Sequence, residues 1–446
     1  MEMKNKMLKG SREKVTEPSG KCASLPQGWR WDRLKDVAEI NGHSLAASTD
    51  PNFQFDYLDI SNVNLRGIVD RSAIEHLYFE GAPSRARRLL SEGATIISSV
   101  RPNLQAVAYI ANKDANLVCS TGFNVVTPFP FRVVSKFLYY CLVSENAKQY
   151  FCANATGVGY PAVSDKAFGS VMISIPPRPE QERIAAFLDE KCATVDKAIE
   201  VKRKQLESVE PQWANLLHNV TLCGIRPSRL QKTTNAIIEK IPVGWKLKRL
   251  RYIGRCQNGI SKDGQYFGYG FPFVTYGDVY NNMALPVVAS GLVESTEDER
   301  IRYSVKRGDV FFTRTSETAD EVGFSSVCLK TIPDATFAGF VIRVRPVTED
   351  LLPEFAQYYF RNPFVSQYFA KEMMVVTRAS LNQDILKSLP VLIPPRDEQV
   401  QIAKYLGERR SYFDSLAANL RKQIETLEQY RKSLIHEYVT GVRRVV

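Results

Sequence analysis

The sequence predicts an α+β protein: two tandem globular domains separated by two long antiparallel coiled-coil helices, with a pseudo-two-fold relation between the copies. Three observations predict it. The string IPPRPEQERI at Ile175–Ile184 recurs as IPPRDEQVQI at Ile393–Ile402, 218 positions on. Other matches keep almost that offset along the chain, and two stretches of about forty residues carry the apolar spacing of coiled coils.

The repeat begins with LPQGWRWDRL at Leu25–Leu34, matched by IPVGWKLKRL at Ile241–Leu250. GATIISS from Gly93 pairs with GDVFFTR from Gly308, and GFNV from Gly122 with GFVI from Gly339. A unit this long is a duplicated domain rather than a solenoid repeat. The segments between the matches have diverged: Asp263–Pro272 and Ala46–Phe55 share almost no letters. The implied organisation is an N-terminal tail at 1–24, a first domain at 25–178, a central spacer helix at 179–222 and a linker at 223–240. A second domain at 241–396 and a C-terminal spacer helix at 397–441 follow.

Within each domain, short apolar runs bounded by Gly and Pro read as strands: ATIISSV, AVAYIA and VMISI in the first copy, DVFFTR, FVIRVRP and LPVLI in the second. The aromatic-rich strings VVSKFLYYCLVSENAKQYF and LPEFAQYYFRNPFVSQYF read as helical. The proline pairs Pro176–Pro177 and Pro394–Pro395 end the preceding strand, because proline cannot serve a central ladder. Pro179 and Asp397 then suit a helical first turn, as do Glu180 and Glu398, followed by Gln181 and Gln399. These residues mark a helix start, not a catalytic centre.

In the first spacer helix Leu188, Cys192, Val195, Ile199, Lys202, Leu206, Val209, Trp213, Leu216 and Val220 alternate steps of four and three. The second repeats the pattern with Leu406, Arg410, Phe413, Ala417, Leu420, Ile424, Leu427, Arg431, Leu434 and Tyr438. Two such seams in one chain are expected to pair antiparallel into a rod of about 60 Å, at 1.5 Å per residue. Pro211 removes one helical hydrogen bond and is expected to kink the first helix.

The 446 residues hold 59 Lys and Arg against 48 Asp and Glu, a surplus of +11 that suits a polyanion such as nucleic acid. No apolar run reaches the roughly 20 residues of a membrane helix, and the start lacks a secretory h-region, so a cytoplasmic location and no membrane partner are expected. The eight cysteines form no C-x-x-C pair and the four histidines are scattered, so no metal site is signalled.

Two diverged α+β domains, each followed by a proline pair and an E-Q-x-x-I-A helix, resemble the specificity subunit of type I restriction-modification enzymes. The resemblance rests on Pro176, Pro177, Glu180, Gln181, Ile184, Ala185 and Leu188 with Pro394, Pro395, Glu398, Gln399, Ile402, Ala403 and Leu406, and on the strings at Leu25 and Ile241. It implies a subunit without catalytic activity of its own. Each target recognition domain would read one half of a split, asymmetric site in double-stranded DNA. The helices would dock two modification (methyltransferase) subunits that methylate adenine N6, joined by restriction subunits where the assembly cuts DNA. No cofactor is expected in this chain; S-adenosylmethionine, ATP and Mg belong to the partners. Consistently, the chain has no G-x-x-x-x-G-K-[ST] string. NPFV at Asn362 is an incomplete amino-methylation motif, and Gly264, Gly268 and Gly270 lack the G-x-G-x-x-G order. A coiled-coil protein–protein adaptor and a stand-alone methyltransferase–recognition fusion are the rival readings.

Base readout needs Arg, Asn, Gln, Ser or Thr on loops that reach a groove. The first copy offers Arg101, Asn103 and Gln105 after a strand, and the second offers Arg314, Thr315 and Ser316 at the matching place. Further candidates are Asn41 and His43 against Asn258, Ser261 and Lys262, and Tyr160 against Arg378. Arg85, Arg87 and Arg88 read as a charged face.

Overall fold

A computed structural model describes residues 25–64, 67–100, 106–111, 116–157, 159, 161–235, 237–315, 322–373 and 380–445. They divide into two compact units. One holds the described residues as far as Val201 together with those from Gln423 onward; the other is Lys202–Lys422.

In the first unit an antiparallel four-stranded sheet runs in the order Ala38–Ile40, Phe123–Pro128, Thr95–Ser98, Val107–Tyr109. The second unit repeats that order with Gly254–Asn258, Val341–Pro346, Val310–Thr313 and Ser325–Val327. The predicted strands therefore form, and the two central ones are buried along their length or nearly so. Beside this sheet each unit has another, built around a parallel pair: Gln54–Leu58 with Leu117–Ser120, and Phe267–Val274 with Thr336–Phe337. Topology thus persists where the letters have diverged.

Each aromatic-rich string folds as two helices, not one. Ser135–Val143 gives way to Glu145–Ala153, and Pro353–Tyr359 to Pro363–Met373. Ser144 makes the first break, since its hydroxyl accepts from the Ala147 N–H as an N-cap. At the second, Pro363 cannot continue a helical ladder and starts a new helix instead.

The opening string of each repeat is the antiparallel neighbour of the closing one. Arg30–Arg33 pairs with Met172–Ile175, and Lys246–Arg249 with Pro390–Ile393. A turn precedes each opening strand, closed by Trp29 N–H to Pro26 O (3.0 Å) and Trp245 N–H to Pro242 O (3.1 Å). Its third residue is Gly28 or Gly244, at φ 88° and 90°, a conformation that favours glycine. The turn aims the tryptophan at the first turn of the long helix that starts where the closing strand ends.

Those long helices are Arg178–Cys223 and Arg396–Val439. Trp29 Nε1 donates to Glu180 (3.2 Å) and Trp245 Nε1 to Glu398 (2.9 Å). Gln181 accepts from the Val134 N–H and donates to Pro176 O; Gln399 accepts from the Leu352 N–H and donates to Asp350 O and Pro394 O. The E-Q pair therefore clamps each helix start to its own domain. In the first unit Arg444 adds a bidentate ion pair to Glu180, at 2.8 and 2.9 Å.

Within each unit segments of the two long helices pack side by side in opposite directions. In the first, Phe187 packs at a tilt against Tyr438 (4.6 Å between ring centres) and Asp196 pairs with Arg431 (3.0 Å). Ile184, Leu188 and Cys192 share a core with Leu434, Ile435 and Val439. In the second, Val209 packs with Ala417 and Leu420, Trp213 with Phe413, and Glu210 reaches Arg410 at 3.3 Å. Every predicted seam residue is buried or half-buried. Leu217 rather than Leu216 takes the fully buried place, because there the helix also covers the core of the second domain. The first helix runs through Pro211 without ending. In the stretch read as linker, Leu230–Lys232 pairs with Lys240–Pro242.

The clamp generates a prediction. Trp29→Phe removes a hydrogen bond to a buried carboxylate and should cost about 1–3 kcal/mol in urea unfolding at neutral pH. The Arg444 guanidinium, through its hydrogen bond, holds the Glu180 carboxyl below its ordinary 4.5. A depressed carboxyl stabilises the fold above its ordinary value and loses that contribution as the pH falls through the lowered one. The stability gap between wild type and Glu180→Gln should therefore narrow as the pH drops below 4.5.

Candidate nucleic-acid interface

The loops singled out for base readout leave the middle of each antiparallel sheet. In the first unit the strand Thr95–Ser98 continues into Ser99 and Val100. Ser99 N–H donates to Gly122 O (2.8 Å), Val163 N–H donates to Ser99 O (3.1 Å), and Val100 bridges Ala162. In the second, Val310–Thr313 continues into Arg314 and Thr315. Arg314 N–H donates to Phe340 O (3.0 Å), Leu381 N–H donates to Arg314 O (2.7 Å), and Thr315 bridges Ser380. One main-chain frame thus holds both strips, while the side chains on it differ. Arg314 is half-buried and makes no side-chain hydrogen bond or ion pair among the described residues; Thr315 is exposed. Arg101, Asn103, Gln105, Tyr160, Ser316 and Arg378 lie outside the described residues.

The remaining candidates divide by what their side chains already hold. Asn41, at φ 57°, accepts from the Val125 N–H (2.9 Å) and from the Arg88 guanidinium, and donates to Asn124 (3.0 Å). Arg88 also donates to Phe123 O, and burial lowers its pKa. Both side chains brace the domain's own backbone and amides. Asn258 accepts from Gln383 (3.0 Å). Lys262 spends its ammonium on Glu294 O and the Glu299 carboxylate, both at 2.7 Å, and its side chain is only 16% exposed. Ser261 and His43 stay exposed, His43 lying 3.7 Å from Glu39. Of the charged face, Arg85 pairs with Asp59 (2.8 Å) and Arg87 lies 4.7 Å over the Phe79 ring.

Sequence reasoning passed over Tyr276, whose hydroxyl donates to Thr315 O (2.8 Å). Its helix, Tyr276–Asn281, starts at a capping box between Thr275 and Asp278. That Thr-x-x-Asp spacing was the available signal.

Motifs that could belong to catalysis are otherwise engaged. Asn362 is fully buried: its side chain caps the Phe364 N–H (2.7 Å), meets His218 Nδ1 (3.1 Å) and donates to the Thr221 hydroxyl. Gly268 and Gly270 sit inside the strand Phe267–Val274 at a register shift, not in a loop that could cradle a phosphate or nucleoside. Burial pushes the Cys119 thiol up to about 12 and those of Cys192, Cys256 and Cys328 to about 11, so these pack as inert apolar groups. Among the described residues no cluster of His, Cys, Asp and Glu is placed to hold a metal, and no helix is long and apolar enough to cross a membrane.

The family model for the type I restriction modification DNA specificity domain matches residues 26–210 and again 242–429. The chain belongs to this family. It is a specificity subunit of a type I restriction-modification system, with two recognition domains, and is a non-catalytic component that binds DNA and partner subunits. The EcoKI specificity subunit of Escherichia coli K12 is 23% identical over 94% of this chain and 90% of its own length. A Methanocaldococcus jannaschii protein, MjaX, is 27% identical over 209 residues, 46% of this chain and 47% of its own. In fold, the chain is similar to one from a solved type I restriction-modification system, a structure addressing complex assembly and conformational transition. That likeness has a TM-score of 0.77 at 21% identity and covers 94% of this chain and 99% of the other.

The inward placement of Asn41 predicts that Asn41→Ala acts on stability. It should lower the unfolding free energy by roughly 1–3 kcal/mol, because Arg88 and the Val125 N–H lose an acceptor. The order of preferred DNA sequences, measured with the assembled complex, should not change.

Proposed function

We propose that each recognition domain reads one half of a split, asymmetric site in double-stranded DNA, through the strip that follows its central strand. The observation that carries this reading is the shared backbone frame with unlike side chains: Ser99–Val100 in one domain, Arg314–Thr315 in the other. A common frame presents a strip in the same way twice, and a different chemistry on it selects a different half-site. Arg314 is the strongest reader among the described residues, since a guanidinium can donate two hydrogen bonds to one guanine edge. The excess of basic side chains supplies phosphate contacts that hold the register.

On this reading the long helices engage two modification subunits, which bring S-adenosylmethionine to an adenine N6. ATP and Mg enter with restriction subunits. In support of placing those sites on the partners, Gly268 and Gly270 lie in a strand and Asn362 is committed to its helix cap. The chain's own contribution is to bind and orient DNA so that a partner can take the adenine from the stack.

Sequencing methylated adenines in a host that expresses this chain with its modification partner tests the proposal. A motif in two halves, with one modified adenine in each half on opposite strands, is expected; a single uninterrupted motif would refute it. Arg314→Ala in the assembled complex should reduce discrimination about tenfold, at one half of the site only, as loss of a bidentate base contact requires.

A further inference from the structure

The two strips share the main-chain bonds named above but differ in how the next carbonyl is held. In the first domain Val100 O accepts from the Ser98 hydroxyl (2.7 Å), two residues back in the same strand. In the second, Thr315 O accepts from the Tyr276 hydroxyl (2.8 Å), from a helix 39 residues away. This carbonyl belongs to the last peptide plane of the strip, so whatever holds it fixes the orientation of the strip's end.

Tyr276 is itself held. Thr275 and Asp278 cap its helix reciprocally, and the Asp278 carboxylate also accepts from the Ser290 N–H (3.2 Å). The Tyr276 ring stacks with Tyr280 at 5.8 Å, Tyr280 stacks with Phe324 at 5.3 Å, and the Arg361 guanidinium lies 4.7 Å over Phe324. Arg361 is half-buried and gives hydrogen bonds to the carbonyls of Val279, Tyr280, Asn282 and Ser325. Phe324 returns to the strip's own strand, its carbonyl accepting from the Thr313 N–H (2.8 Å). The ladder closes on itself and directs the phenol at Thr315 O.

We propose that Tyr276 is a positioning residue for the second domain: it fixes the Thr315 carbonyl and thereby aims the Arg314–Thr315 strip, with Ser98 doing the same for the strip at Ser99–Val100. The inference rests on the reading that these strips meet the bases. Tyr276→Phe removes one hydroxyl and leaves the ring stack in place. With the chain assembled with its modification partner, methylation of a duplex library randomised across both halves gives the discrimination at each half separately. Tyr276→Phe should weaken it about 3- to 10-fold, the worth of one hydrogen bond, in the half that Arg314→Ala affects and not in the other. Ser98→Ala should weaken the opposite half.

If Arg314→Ala loosens one half while Tyr276→Phe leaves that half within about twofold, or lowers both halves together as general destabilisation would, the positioning role is wrong and the reading stands. If Arg314→Ala moves neither half, the reading itself fails and takes this inference with it. A first half left unchanged by Ser98→Ala overturns the claim for that domain.

Discussion

The hydrogen bond from a tryptophan indole to the glutamate in a long helix's first turn is the constraint on which the rest depends. Glu180 is almost fully buried, and a buried carboxylate without donors would cost several kcal/mol. Trp29 meets that demand from the opening strand, with Arg444 in addition, and Trp245 meets it for Glu398. The neighbouring glutamine ties the same helical turn to a loop of the domain through both ends of its amide. Because the opening and closing strands are hydrogen-bonded neighbours, the indole can reach the helix only when the domain between them has closed. Completion of the domain and the direction in which the helix leaves it are therefore one event.

This explains which parts of the fold were legible in the letters. The strings that repeat are the ones that touch: Gly28–Trp29 against Glu180, Gly244–Trp245 against Glu398. The helical seam was legible for a different reason, since burial against a partner helix imposes its own period. Less could be read where side chains act locally. Aromatic spacing ran unbroken across Ser144 and Asn362, and a cap formed by a single hydroxyl or amide leaves no mark on that spacing.

The interface was legible only in outline. Sequence separates polar from apolar residues but does not say whether a polar group has already found its partner. Asn41 and Lys262 are as hydrophilic as Arg314, yet one braces Arg88 and the other is held between Glu294 and Glu299. Tyr276 shows the reverse case: nothing in the letter marked it for the interface, whereas its hydroxyl is the part that matters.

The frame beneath the strips is made of N–H and C=O groups, which any residue other than proline provides. Replacing the residue at Arg314 leaves its amide on Phe340 and its carbonyl on Leu381 undisturbed. The lettering shown to a ligand is thus decoupled from the wire that carries it. A new preference can be written by exchanging a handful of side chains, with no repacking of the sheet underneath and no loss of the helix clamp.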